Sequence, residues 1–370
     1  MSAKSFTSIE TPALLLDRAR LERNCAAMRA RAERHGVRLR PHLKTAKCVE
    51  VAERALSPGS RAITVATLRT ARWFAQRGFR DQLLAVSLVP AKVPAVAALL
   101  REGVSVRVLV DGPDNAAGVA ARAAGLGVVL EAFVEVDCGQ GRGGHRPGEA
   151  ALLEVARVLD ASPAMGLLGV LTHAGHSYGA VSHEAREAIA EDERRAAVEA
   201  KQRIEAAGVA CPEVSVGSTP TVMAARSFEG VTEIRPGVYT FFDATQAALG
   251  VCTEDDLALS VLATVVSRGE GYAWIDAGTL ALSAERALGA PRYGRVTEVD
   301  GAALPGAPVV DGLNQEHGRV VPSEATPLSL EVGAQVRVWP NHACITAAMF
   351  DGYHVLVEGA VLERWERLRG

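Results

Sequence analysis

From about residue 39 to residue 242, short β-branched apolar runs alternate with Ala-, Arg- and Glu-rich stretches whose apolar positions recur at three- and four-residue intervals. The first pattern suits a buried strand, the second an amphipathic helix. Eight strands are expected, at 39–45, 62–68, 82–87, 105–111, 128–137, 166–173, 213–217 and 233–241, with helices such as 149–159 and 183–207 between them. Such alternation builds parallel strands joined by crossover helices. Eight units suggest a closed (β/α)8, TIM-like barrel of the α/β class, whose working face is the carboxyl end of its strands. After about Gly250 long helices stop. Strands expected at 257–267, 272–276, 292–298, 335–339 and 353–358 are separated by Gly-rich turns, the texture of a second, all-β domain of barrel or sandwich type. The expected division is therefore a barrel over 18–248 and a β domain over 249–370, with residues 1–17, whose run 11–17 reads as a strand, joining the β domain.

Composition narrows the class of partner. At 370 residues and 48% hydrophobic content the chain can bury cores for two domains, and a net charge of −3 without a basic stripe argues against nucleic acid and against a polybasic membrane patch. No apolar run approaches the roughly 18 residues that span a bilayer. The polar start Met1-Ser2-Ala3-Lys4-Ser5 lacks a signal-peptide core, so a cytoplasmic protein acting on a small molecule is expected. Six cysteines without paired spacing (Cys25, Cys48, Cys138, Cys211, Cys252, Cys344) read as free thiols.

Five segments carry chemistry. His342 and Cys344 lie two apart in an apolar run, and on an extended strand that spacing aims both side chains at one face. An imidazole and a thiolate suit zinc, and a pair leaves positions open, as a catalytic metal requires; a buried strand carrying a core histidine and a small apolar cysteine would look the same. Leu39-Arg40-Pro41-His42-Leu43-Lys44-Thr45-Ala46-Lys47 places Arg40, His42 and Lys44 on one face, with Lys44 at the strand's carboxyl end. Crowding by Arg40 and Lys47 would lower its amine pKa, as a Schiff-base or general-base lysine needs, although a solvated lysine at a strand end reads alike. Gly217-Ser218-Thr219-Pro220-Thr221 ends a strand and opens a helix, with Thr219 expected as N-cap and Pro220 as the first helical residue, a place where free N–H groups hold phosphate. After the fifth and sixth strands, the loops Asp137-Cys138-Gly139-Gln140-Gly141-Arg142 and His173-Ala174-Gly175-His176-Ser177-Tyr178 carry an arginine fork and a tyrosine. His35, His145, His183 and His354 read as ordinary loop or edge residues.

Taken in order, Pro-His-Leu-Lys-Thr, Asp-Cys-Gly-Gln-Gly-Arg-Gly, His-Ser-Tyr-Gly, Gly-Ser-Thr-Pro-Thr, Arg235-Pro236-Gly237-Val238-Tyr239 and Asn341-His342-Ala343-Cys344 resemble the D-serine dehydratase/D-threonine aldolase family of alanine racemase-like enzymes. The resemblance runs from about Thr11 to near the C-terminus and implies pyridoxal 5'-phosphate (PLP) as cofactor. It also implies that Lys44 binds the cofactor covalently, Arg142 lies near its phenolic oxygen and Tyr178 beside its ring. Gly217, Ser218 and Thr219 match phosphate-binding positions, Arg235 an arginine by the pyridine nitrogen, and His342 and Cys344 the ligands of Zn2+ or another divalent metal. Asn314-Gln315-Glu316-His317-Gly318 resembles a family segment near the cleft, or simply a charged hairpin turn.

The resemblance implies a lyase: a D-3-hydroxyamino-acid dehydratase that eliminates a metal-activated β-hydroxyl to give a 2-oxo acid and ammonia. The same parts could instead carry out a retro-aldol cleavage to glycine and an aldehyde; a racemase and a non-catalytic PLP-binding protein are further alternatives. His-x-Cys favours the dehydratase, since the aldolases show His-x-Asp at this place. The family's Lys-Thr-His-Lys is here Lys44-Thr45-Ala46-Lys47, which leaves substrate choice open. Related enzymes are dimers, so a homodimer is expected.

Overall fold

The computed structural model describes residues 6–286 and 292–370; the opening Met1–Ser5 segment lies outside them. The chain divides into two compact units, one holding the residues up to Ala26 with Thr45–Arg54 and Val238–Gly370, the other Ala27–Lys44 and Ala55–Gly237.

In the second of these, eight strands pair in parallel: Arg38–Leu39, Ala62–Val65, Asp81–Ser87, Ser105–Val110, Leu130–Glu135, Met165–Leu171, Glu213–Val216 and Glu233–Ile234. The first strand pairs with the last, and a parallel bridge between His42 and Thr64 joins the first to the second, so the sheet closes on itself. This is the expected (β/α)8 barrel. Leu83, Leu109, Phe133 and Leu171 form one of its buried apolar clusters, and helices such as Ala150–Ala161, which buries Leu152, Val155, Ala156 and Leu159, supply the crossovers at the spacing the sequence shows.

Several expected barrel strands are shorter than their apolar runs, 62–68 ending at Val65 and 128–137 running only over Leu130–Glu135, and two shrink to a pair of residues. The run 39–45 is regular only over Arg38–Leu39, although its ladder continues through Arg40 N–H to Ile234 O and His42 N–H to Pro236 O, because Pro41 between them has no donor for the other side. The run 233–241 is a strand only over Glu233–Ile234. Pro236 and Gly237 break it, and Val238–Thr240 forms a 3-10 turn.

The other unit is built on one nine-stranded sheet. Six strands close a ring: Leu259–Gly269, Tyr272–Ile275, Gly318–Val321, Val309–Leu313, Gly294–Thr297 and Gln335–Pro340, the last returning to the first. Ala13–Asp17 extends the sheet by pairing with Leu259–Gly269 on one side and Gly352–Val357 on the other, and Ala360–Glu366 forms the outer edge. Ile9, Ala13, Leu15, Leu262, Leu356 and Val361 pack a core beneath it. Val309–Leu313, Gly318–Val321 and Ala360–Glu366 had no expected counterpart; the first two are short strands framed by Gly and Pro, which mask a period of two. The 314–318 segment is the hairpin connection between that pair, whose ladder ends at Leu313 and Gly318. Among the described residues no helix is long and apolar enough to cross a membrane.

Candidate active site

A cavity of about 370 Å3 opens in the barrel unit, within the size range of small-molecule sites. Lys44, Arg142 and Arg235 line it, together with His42, His173 and Glu135. The Lys44 side chain is exposed, and its backbone N–H donates to His42 Nδ1 at 3.3 Å. Arg40 does not crowd it as the alternation suggested. Its guanidinium is buried on Glu233 at 2.7 Å and Asp81 at 2.8 Å, so its charge is already met.

Arg235 is held from below. It is 3% exposed, with Nε donating to Ser215 Oγ at 2.8 Å and Nη2 to the Thr172 carbonyl. Ser215 in turn donates to Glu233 at 2.7 Å, and Glu233 meets Arg40, so a buried polar chain inside the barrel fixes the arginine's plane. Burial lowers the Arg235 pKa to about 10, which leaves it cationic at neutral pH. His173 donates from Nδ1 to Gly217 O at 3.0 Å, and burial, assisted by the charges of Lys44, Arg235 and Arg142, lowers its pKa to about 3. It is a neutral imidazole with Nε2 free. His42 is driven well down for the same reasons, burial first and then Lys44, Arg235 and His173. Burial pushes the Glu135 carboxyl up against the pull of Arg142. Arg142 itself is exposed, on a loop shaped by Asp137, which accepts from Gly139 and Gly141 N–H at 2.9 Å each.

Tyr178, Gly217, Ser218 and Thr219 are not among the residues that line this cavity. They adjoin its wall: Gly217 O holds His173, and Ser218 Oγ meets Ser177 Oγ, beside Tyr178 in the turn Gly175–Gly179, at 2.9 Å. The N-cap of the helix Thr219–Ala224 is Ser218, not Thr219, and Pro220 is its second residue. Ser218 and Thr221 exchange bonds in a capping box, which the serine can make only from the position three before Thr221. Gly217 has a φ of +121°, and a Cβ there would lie 3.2 Å from Arg235 N, so this turn needs glycine. Glu193, which sequence reasoning missed, is buried beneath both loops and accepts from Ala174 N–H at 2.8 Å, Gly217 N–H at 3.2 Å and Thr221 Oγ1 at 2.7 Å. Its place in the long helix His183–Ala206 gave no local signal beyond a carboxylate on a buried face.

In the β unit, His342 and Cys344 do come together, but not as alternate residues of a strand. The strand ends at Pro340, whose missing N–H stops the ladder; His342 is the N-cap of the helix Ala343–Ala348, and Cys344 lies in its first turn. The two side chains hydrogen-bond each other, and His342 Nδ1 also meets the Glu285 carboxylate. Asp243, buried, accepts from Ala343 N–H and Gln246 N–H at 3.0 Å each. Against burial, Cys344 and then Glu285 and Asp243 hold the His342 pKa up at about 9. Surroundings that favour a proton this strongly also favour a dication, and the imidazole–thiolate pair is a metal donor set. Among the described residues no group of three such donors converges. A divalent metal would find two protein donors here, His342 and Cys344. The residues also fit PLP: around a cavity of suitable size, an amine suits its aldehyde, one arginine fork its phenolate and a second, buried arginine its ring nitrogen.

Comparison with known proteins gives the chain's family. Residues 16–245 match the "Alanine racemase, N-terminal domain" and residues 258–356 the "Putative serine dehydratase domain". The chain is 41% identical to D-threo-3-hydroxyaspartate dehydratase of Delftia sp. (strain HT23) over 99% of both chains, and 32% identical to D-threonine aldolase of Arthrobacter sp over 97% of this chain and 92% of that one. Among solved structures the Delftia enzyme superposes with a TM-score of 0.94 at 41% identity, covering 98% of this chain and 99% of that one. A cysteine-to-alanine variant of a D-threo-3-hydroxyaspartate dehydratase, described as metal-free, and a histidine-to-alanine variant each superpose at 0.95 with 40% identity; the first covers 99% of this chain and 100% of that one, the second 100% and 97%. The two altered positions are two residues apart, the spacing of His342 and Cys344. The chain belongs to the D-serine dehydratase/D-threonine aldolase family of alanine racemase-like, fold-type III PLP enzymes.

Proposed function

We propose that this protein is a PLP- and metal-dependent dehydratase of D-3-hydroxyamino acids, releasing a 2-oxo acid and ammonia. The observation that carries the reading is the imidazole–thiolate pair of His342 and Cys344 in a chain that matches a D-threo-3-hydroxyaspartate dehydratase end to end. Lys44, Arg142, Tyr178, Gly217, Ser218, Thr219 and Arg235 would hold PLP, all within residues 18–248; His342 and Cys344, within 249–370, would hold the metal, with zinc favoured by the thiolate. PLP supplies an electron sink for the charge that develops at the substrate Cα. A divalent metal supplies the Lewis acid without which hydroxide is a poor leaving group.

The residues have separable tasks. Lys44 Nζ takes the Cα proton, for which an exposed amine on a cavity wall is free to move. Arg235, fixed through Ser215 and Glu233, offers a permanent cation, while neutral His42 and His173 add polarity without charge. Cys344 and His342 would hold the metal, which would supply Lewis acidity toward the leaving hydroxyl. None of the six cysteines is in a disulfide, which supports a reducing, cytoplasmic setting, and the family supports a homodimer.

D-threo-3-hydroxyaspartate is the substrate to test first, beside D-serine and D-threonine. Lys44→Ala is expected to lose PLP absorbance and ammonia release together. Cys344→Ala is expected to keep the absorbance while losing bound metal and ammonia release. Glycine and an aldehyde in place of the 2-oxo acid would make the protein an aldolase, the reading favoured by the Arthrobacter relative.

A further inference from the structure

Thr45 is wholly buried, and its Oγ1 lies 3.0 Å from Cys344 Sγ across 299 positions of sequence. Both residues belong to the β unit, and the chain crosses between the units at the Lys44–Thr45 peptide itself. The threonine is not free to drift. The next carbonyl, Ala46 O, accepts from Tyr353 Oη at 2.7 Å and Arg367 Nε at 3.3 Å, and Lys47 O accepts from Leu368 N–H at 2.9 Å. A metal-bound cysteine is a thiolate, with no proton to give, so the hydroxyl must be the donor. A buried threonine hydroxyl also needs such a partner, since one left unpaired carries a desolvation penalty that valine of the same shape avoids.

We propose that Thr45 is a positioning residue for the metal centre, its hydroxyl donating to the Cys344 thiolate. The bond fixes the rotamer of the sulfur and draws charge from it, which keeps the metal a stronger Lewis acid toward the β-hydroxyl. The residue that follows the cofactor lysine thus sets the strength of the metal ligand. This inference rests on the reading of Cys344 as a metal ligand.

The test is the Co2+-substituted holoenzyme, whose sulfur-to-cobalt charge-transfer band reports the electron richness of the thiolate. Thr45→Val is expected to move the band to lower energy and to reduce kcat for elimination by about tenfold, within the range of lost outer-shell contacts, with KM changed less and PLP absorbance kept. Thr45→Ser, which retains the hydroxyl, is expected to restore the parent band. A Thr45→Val band that stays in place or moves to higher energy overturns the proposal, as does a Thr45→Ser band displaced like that of Thr45→Val. If the valine variant does not fold, Thr45→Ala replaces it with the same expected direction. Cys344→Ala separates the two levels: loss of the band there with an unmoved band in Thr45→Val sinks this inference alone, whereas a band that survives Cys344→Ala sinks the metal-site reading beneath it.

Discussion

His173 shows how a single side chain takes its character from its surroundings. Its Nδ1–H is committed to Gly217 O, and burial with three neighbouring cations leaves it neutral down to about pH 3. An imidazole that stays neutral in the folded state but protonates near pH 6.5 when unfolded gives the unfolded chain the extra proton. Stability is therefore whole above about pH 6.5 and falls as pH drops toward 3; by pH 5 the loss is up to about 2 kcal/mol for this group. The urea midpoint is expected to fall between pH 7 and pH 5, and to fall less in His173→Asn; equal slopes would remove His173 as the cause. At this scale the sequence showed which residues could do chemistry but not their neighbours. The lysine was legible from Pro-His-Leu-Lys-Thr. That Arg40 spends its charge on Glu233 and Asp81, and that Arg235 is braced through Ser215, was not, because those partners lie tens to hundreds of positions away.

At the scale of elements, Asp243 is the hinge pin of the turn that carries His342 and Cys344, the proposed metal ligands. One carboxylate oxygen caps the helix Ala244–Ala248 and the other holds Ala343 N–H, between His342 and Cys344. Asp243→Ala removes a cap and orphans a buried N–H, with an expected loss of about 2 kcal/mol in chemical denaturation. Its metal affinity should fall as well, since the backbone between the two ligands is then unpinned. Unchanged metal binding would mean the turn holds its shape without the clamp. This is also where the strand reading failed. An apolar run through Val338, Trp339 and Ile345 looks extended by pattern, yet Pro340 ends the ladder and Asp243 draws the following peptide into a helix start. Period-two spacing and the first turn of a helix both bring such a pair close, so the proximity of His342 and Cys344 was legible while the backbone that makes it was not.

For the molecule as a whole, the metal is expected to serve chemistry and not folding. Protein groups alone hold the turn: Asn341 Nδ2 on Glu285 O at 3.0 Å, Thr346 Oγ1 on Leu282 O at 3.0 Å and the Asp243 clamp. Chelation should abolish ammonia release while far-ultraviolet circular dichroism and cooperative unfolding persist, and added divalent metal should restore turnover; collapse of the fold on chelation would assign the metal a structural part.

The sequence by itself determined the two kinds of architecture, because periodicity and turn residues are local and survive any tertiary context. It also determined the chemical inventory: an amine, an arginine fork, a glycine turn and an imidazole–thiolate pair. Only the tertiary structure decided which carboxylates and hydroxyls stand beside them, Glu193 under the Gly217 turn, Glu285 on His342 and Thr45 on Cys344. Hydrogen bonds and charge act through space, and no spacing along the chain encodes a contact that folding makes across 299 positions.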